Sequence, residues 1–172
     1  MIEATSTLGQ VGEILRVAGL LREFHGPEDL SVMGVCQDSR KATPGDLFLA
    51  WQGDLLDAHD FVGAAACNGA VAAVVERKVD IQIPQIIVTD GRRSAALVAC
   101  EVIGAGSRSM FTVGVTGTNG KTTTALLARY LMGQKGSTAS IGTLGVFDEQ
   151  GVRPGTEGLT TPGPVQVAIF LR

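Results

Sequence analysis

The sequence predicts an α/β protein in two parts: a mixed α/β domain over residues 1–106, then a second α/β part over residues 107–172. Three observations carry that expectation. Helical periodicity alternates with short apolar runs, and Gly and Pro punctuate the transitions. The cluster Gly104-Ala105-Gly106-Ser107 interrupts the pattern between its two parts. Beyond it, a glycine loop joins a β-rich run to a helix.

Leu8, Val11, Ile14, Leu15, Ala18 and Leu21 fall on one helical face, which predicts a helix over 8–21 with Thr7 as N-cap and Gly26-Pro27 closing the region. Val32–Gln37 reads as a short strand. Pro44-Gly45-Asp46 is a turn signal ahead of the strand Leu47–Trp51. A second helix covers 61–68 and is closed by Gly69; Ala70–Val75 is then a buried strand. Ile86–Thr89 is a third clear strand, with Pro84 just ahead, and Arg92–Ile103 a third helix. Past the glycine cluster, Phe111–Val115 is β-rich, Gly117–Gly120 is the loop, and Lys121–Met132 is helical with a core stripe at Leu126, Leu127, Tyr130 and Leu131. Thr138–Ile141 reads as a strand and Gly145–Phe147 as a weaker one. The polar stretch Asp148–Gly158 follows, and Thr160-Thr161-Pro162 leads into a last segment, Val165–Leu171.

Composition narrows the classes. With 45% apolar and 18% charged residues the chain is not disordered. Fourteen basic residues against 17 acidic ones leave no cationic surface for nucleic acid. Aromatic content of 5% means a core of Ala, Val, Ile and Leu. Cys36, Cys67 and Cys100 form no CxxC pair, so they read as reduced, mostly buried thiols, and His25 and His59 make no metal spacing. The start MIEATSTLGQ lacks a secretory pattern, and Phe61–Val75 is too short to span a bilayer and carries Asn68. A cytoplasmic protein without a membrane span is expected, and a monomer.

The chemistry lies in Gly114-Val115-Thr116-Gly117-Thr118-Asn119-Gly120-Lys121-Thr122-Thr123. Glycines let backbone N–H groups turn inward around an anion, and the helix N-terminus adds free donors and partial positive charge. Lys121 can reach outer phosphates as a point charge and is the candidate catalytic residue; the Thr122 hydroxyl is placed to ligate Mg2+. The glycines stand at 114, 117 and 120, with Val115 where the strict phosphate-loop pattern has glycine. Asp38-Ser39-Arg40 sits at a strand end, where ligands of α/β folds collect, and reads equally as an Asx or Ser turn with Arg40 solvated. Thr160-Thr161-Pro162 reads as a helix N-cap with Pro in the first turn. Lys41 and Asp46 read as surface and turn residues.

The run Thr116–Thr123 reads TGTNGKTT, and with it the sequence resembles the Mur ligases, ATP-dependent amide-forming enzymes of peptidoglycan precursor synthesis. Asp38-Ser39-Arg40, Pro44-Gly45-Asp46-Leu47-Phe48 and Gly53 look like the amino-terminal domain of the MurE and MurF types. Gly142-Thr143-Leu144-Gly145 followed by Thr160-Thr161-Pro162 looks like the MurE type. The resemblance implies that residues 1–106 are a UDP-substrate-binding domain and residues 107–172 the incomplete, truncated start of the central phosphate-loop ATP-binding α/β domain. Gly117, Thr118, Asn119, Gly120, Lys121, Thr122 and Thr123 would hold ATP and Mg2+. Gln37 and Ser39 would contact the UDP moiety, and Thr160 and Thr161 the sugar-peptide of the UDP-N-acetylmuramoyl dipeptide. Asp54-Leu55-Leu56 stands where some members have His-Gln-Ala, and Leu159 where many have Asn. The family's remaining Mg2+ ligands, carbamylated lysine and amino-acid-binding carboxy-terminal domain find no place here, so an amino-terminal part, inactive by itself, is expected. The rival expectations are a MurF-type or other ligase of the superfamily, and a non-catalytic nucleotide-binding module.

Overall fold

The computed structural model describes residues 6–53, 56–104, 110–153, 156 and 162–172. They divide into two compact units: Met1–Ser109 together with Pro164–Arg172, and Met110–Gly163.

The first unit is built on a five-stranded sheet in the order β2-β7-β6-β5-β4. Its strands are β2 (Leu21–His25), β4 (Gly34–Cys36), β5 (Asp46–Leu49), β6 (Ala72–Val75) and β7 (Gln85–Val88). Strands β4 to β7 are parallel, and β2 closes one edge antiparallel to β7. Every residue of β5, β6 and β7 is buried. That follows from layers on both faces, which demand apolar runs rather than alternation. Leu47, Leu49, Ala72, Val74, Ile86 and Val88 pack with α1 (Leu8–Val17) and α3 (Gly91–Ile103). Phe48, Ala50, Ala73, Val75 and Ile87 point to the other face and pack with Val62 and Ala65 of α2 (Val62–Cys67). Alternate residues of one strand thus feed two cores. A short antiparallel pair, β1 (Ser6–Thr7) with β3 (Ser31–Val32), sits apart from the main sheet.

The Thr7 hydroxyl accepts from Gln10 N while the Gln10 side chain accepts from Thr7 N, a reciprocal capping box that starts α1. The helix expected to reach Leu21 ends at Val17 instead. Gly19 takes φ +69, its N–H bonds Arg16 O at 3.0 Å, and Leu20 N bonds Leu15 O at 2.9 Å. This Schellman closure turns the chain into β2. Asp90 caps α3 through Arg93 N at 2.9 Å, and Gly104 ends it at φ +71. The last helix, α5 (Pro164–Phe170), packs on α3 and groups with the first unit, although the sequence places it after the second.

The second unit holds α4 (Lys121–Gly133) and an antiparallel sheet in the order β10-β9-β8. Its strands are β8 (Ser140–Gly142), β9 (Gly145–Asp148) and β10 (Gly151–Val152). The Arg129 guanidinium lies 5.8 Å from the centre of the Phe147 ring and donates to Asp148 O at 2.5 Å. Three expectations are corrected here. Residues 111–115 form no strand, because no described segment pairs with them, and Phe111 is 86% exposed. Most of the stripe expected to be core is not: Leu127, Tyr130 and Leu131 are all more than half exposed, and Leu126 alone of the four is half-buried, lining a small cavity with Ile141, Leu144 and Phe147. The stretch 148–158, read as a loop, contains β10, which pairs with β9. No helix among the described residues is long and apolar enough to cross a membrane.

Candidate functional site

The residues singled out by sequence fall in both units, and each set is built by its own local geometry. In the second unit Gly117 takes φ +145 and Gly120 φ +77. Gly120 is the N-cap of α4 and supplies no side-chain cap. The first intrahelical bond there runs from Thr124 N to Gly120 O at 2.8 Å. The N–H groups of the first turn of a 13-residue helix therefore face no capping side chain. A Cβ at Gly120 would meet nothing within 4 Å, so glycine serves the left-handed backbone there and not space. The Lys121 ammonium folds back over this loop, donating to Gly117 O at 2.6 Å and Thr118 O at 3.0 Å. Thr118, Asn119 and Thr123 are exposed beside it.

Thr122 Oγ1 lies 3.1 Å from Thr143 Oγ1 in the β8–β9 turn. Its partner is another hydroxyl, which leaves a lone pair for a cation. An uncapped helix start, two left-handed glycines, a lysine and a free hydroxyl lone pair suit a phosphate chain with its divalent ion. Among the described residues no group of three or more His, Cys, Asp or Glu could hold a metal without such a chain.

In the first unit the carboxyl ends of the parallel strands gather a second set. Gln37 is exposed directly after β4. Ser39 is buried at the start of a one-turn 3-10 helix, Ser39–Lys41, and its carbonyl accepts from Asn68 Nδ2 at 2.9 Å. Asp38 caps that turn through Arg40 N at 3.1 Å and takes the Arg40 fork at 2.9 and 2.8 Å. Hydrogen bonding from the Arg40 side chain holds the Asp38 carboxyl down at about 2. Burial, with Asp46 and Asp38 adding, pushes the Cys36 thiol up to about 12, so it stays protonated and unreactive. Of the other cysteines, Cys67 is exposed and Cys100 partly buried. Asp46 serves the turn: its carboxylate accepts from Thr43 N at 2.8 Å and Thr43 Oγ1 at 2.9 Å. Thr160, Thr161, Asp54, Leu55 and Gly106 lie outside the described residues.

Sequence reasoning missed a buried polar chain at the same sheet end. His59, 2% exposed, accepts from Glu76 N through Nε2 at 2.9 Å and pairs with Asp57 through Nδ1 at 2.5 Å. Arg77 holds the other Asp57 oxygen at 2.7 Å. The Glu76 carboxylate accepts from Gln52 N at 3.0 Å and Gly91 N at 2.8 Å, tying the ends of β5 and β6 to the start of α3. The signal present in the sequence was the Asp57-Ala58-His59 spacing, an Asx cap over a 3-10 turn.

One unit is a mixed α/β fold and the other carries a glycine loop at a helix start, an architecture of the phosphate-loop class. Two family models match it in series: "Mur ligase family, catalytic domain" over residues 31–111 and "Mur ligase middle domain" over residues 115–172. The chain belongs to the Mur ligase family. It is 40% identical over 118 residues to a Listeria monocytogenes protein named UDP-N-acetylmuramoyl-L-alanyl-D-glutamate--2,6-diaminopimelate ligase, covering 68% of this chain and 24% of that one. A Syntrophomonas wolfei protein of the same name is 39% identical over 149 residues, covering 85% and 30%. Among solved structures, MurF from Acinetobacter baumannii aligns with a TM-score of 0.64 at 26% identity, covering 96% of this chain and 32% of that one. MurF from Thermotoga maritima in complex with ADP aligns at 0.51 and 29% identity, covering 78% and 28%. The chain spans between 24% and 30% of the length of these two curated relatives.

Proposed function

We propose that these residues carry the UDP-substrate-binding domain and the ATP phosphate loop of a MurE-type ligase. That enzyme would add the third amino acid, through an acyl phosphate, to UDP-N-acetylmuramoyl-L-alanyl-D-glutamate. The observation that carries the reading is the identity of about 40% to proteins of that name, across both units, at a loop whose backbone suits phosphates. The preference for MurE over MurF rests on those relatives alone, because a solved diaminopimelate ligase structure aligns at 23% identity and the MurF structures at 26–29%.

On this reading Gly117, Thr118, Asn119 and Gly120 turn backbone donors toward the phosphates of ATP, with Thr122 and Thr123 at the helix start. Lys121 exchanges the carbonyls of Gly117 and Thr118 for the outer phosphate oxygens, neutralising charge as it develops. Thr122 would hold Mg2+, which supplies further charge neutralisation when bound. Gln37 and Ser39 take the UDP moiety at the sheet's carboxyl edge, and Thr160 and Thr161 the sugar-peptide. None of these roles falls to recognition of the incoming amino acid, which is assigned to none of the described residues. The setting is the cytoplasm, as a monomer.

Thermal shift tests the reading. Both Mg-ATP and the UDP-muramoyl dipeptide should raise the melting temperature, since a ligand at about 100 times its Kd adds roughly 2.7 kcal/mol. Lys121→Ala should abolish the ATP response and keep the UDP response. A response to Mg-ATP alone would point to a nucleotide-binding module instead, and loss of both responses in the variant would refute two separate sites.

A further inference from the structure

We propose that Thr143, in the β8–β9 turn, is a positioning residue for Thr122: it accepts the Thr122 hydroxyl proton and so turns an oxygen lone pair toward the divalent cation of a bound nucleotide. This rests on the nucleotide reading of the loop given above. A hydroxyl has one proton and two lone pairs, and an oxygen that gives a lone pair to a cation must send its proton elsewhere. Without an acceptor in place, the hydroxyl rotor is free and the ligating orientation is one of several.

Thr143 supplies that acceptor 3.1 Å away, from a segment 21 residues further along the chain. Its own place is fixed by the hairpin. Gly142 pairs with Gly145 across the ladder, and Gly145 takes φ +108. The turn thus presents Thr143 to the first turn of α4 by backbone geometry, not by side-chain packing, and Thr143 itself is exposed. A second hydroxyl stands near. Ser140 and Thr122 line the same cavity of about 20 Å³. Ser140 Oγ is nevertheless buried without a hydrogen-bond partner, so Thr122 pairs with the turn and not with the strand. The pairing is therefore selective, and it leaves a built-in control.

The test measures ADP affinity of the full chain by calorimetry along a Mg2+ titration. Thr143→Val keeps the shape and removes the acceptor; it should raise the Mg2+ midpoint about three- to tenfold, as loss of one hydrogen bond predicts. Affinity for ADP without Mg2+ should stay at the wild-type value. Thr143→Ser restores the hydroxyl and should restore the midpoint. Ser140→Ala should titrate as wild type. A Thr143→Val midpoint equal to wild type overturns the proposal. So does an equal loss with and without Mg2+, or a matching shift in Ser140→Ala, because each reports packing of the turn. Wild-type chain that binds ADP without any Mg2+ dependence refutes the metal at Thr122, and chain that binds no ADP refutes the nucleotide reading itself.

Discussion

At the scale of single residues, the Asp57–His59 pair shows how a catalytic-looking arrangement can be structural. Because His59 Nε2 accepts the Glu76 N–H, the ring is neutral with its proton on Nδ1, donated to Asp57. No nitrogen remains to act on a substrate. Burial raises the Asp57 carboxyl, but the His59 backbone and ring and Arg77 outweigh it and hold it at about 2. That lies below the value of about 3.9 for an unfolded Asp. The group therefore contributes stability fully present above about pH 4 and lost as pH falls through about 2. Asp57→Asn should flatten the acid limb of the stability curve in that window, leaving the share of Asp38, also held at about 2. It should also cost about 1–3 kcal/mol at pH 7, through a weakened buried hydrogen bond. Urea midpoints taken from pH 2.5 to 7 read both effects. An unchanged acid slope would assign the limb to other carboxylates.

At the scale of elements, glycine and cap signals were read well where a residue type has only one local use. Thr7 starts α1, and Gly69 closes the turn after α2 at φ +112. A Cβ at Gly69 would come 2.7 Å from Pro44 N and 2.8 Å from Pro44 Cα, both backbone atoms that cannot swing away. Gly69→Ala should cost about 2–3 kcal/mol from strain and overlap together, seen as a lower urea midpoint at constant m-value. A loss under about 0.5 kcal/mol would mean the Pro44 turn yields. The elements that escaped the sequence are those whose partners lie far away. Arg22, Glu23 and His25 give β2 no apolar alternation; pairing with β7 makes it a strand. Phe111 and Val113 have the β-rich pattern but pair with no strand among the described residues, so pattern alone predicts an element that is not formed there. The glycine loop and the start of α4 were legible because both are set by local backbone geometry. The His59 chain was not, because Glu76 and Gly91 reach it only through the sheet.

At the scale of the whole molecule, burial is divided unequally between the two units. The first owns both apolar clusters, with β5, β6 and β7 covered on each face. In the second, α4 has no buried residue, and Val146 is the buried large apolar side chain among the described residues. Its hairpin is held by short ladders and by polar contacts such as Val146 N to Thr156 Oγ1 at 2.9 Å. Burying apolar area contributes roughly 25 cal/mol per Å², and local opening is easiest where little is buried. Native-state hydrogen exchange should therefore give high protection in β5, β6, β7 and α3, and exchange through small local openings in α4 and β8–β10. The Ala72–Val75 amides should exchange by global unfolding, their rates tracking the urea-derived stability. Amides of Leu126–Leu131 should exchange at least about a hundredfold faster, a gap of roughly 2.7 kcal/mol or more. Adding Mg-ATP should slow the α4 amides and leave β6 unchanged, because a ligand on the loop stabilises only the openings that break its site. Equal protection in β6 and α4 without ligand would show that the second unit draws stability from more than its own described contacts, and would remove the unequal division as the reason for its exposed stripe.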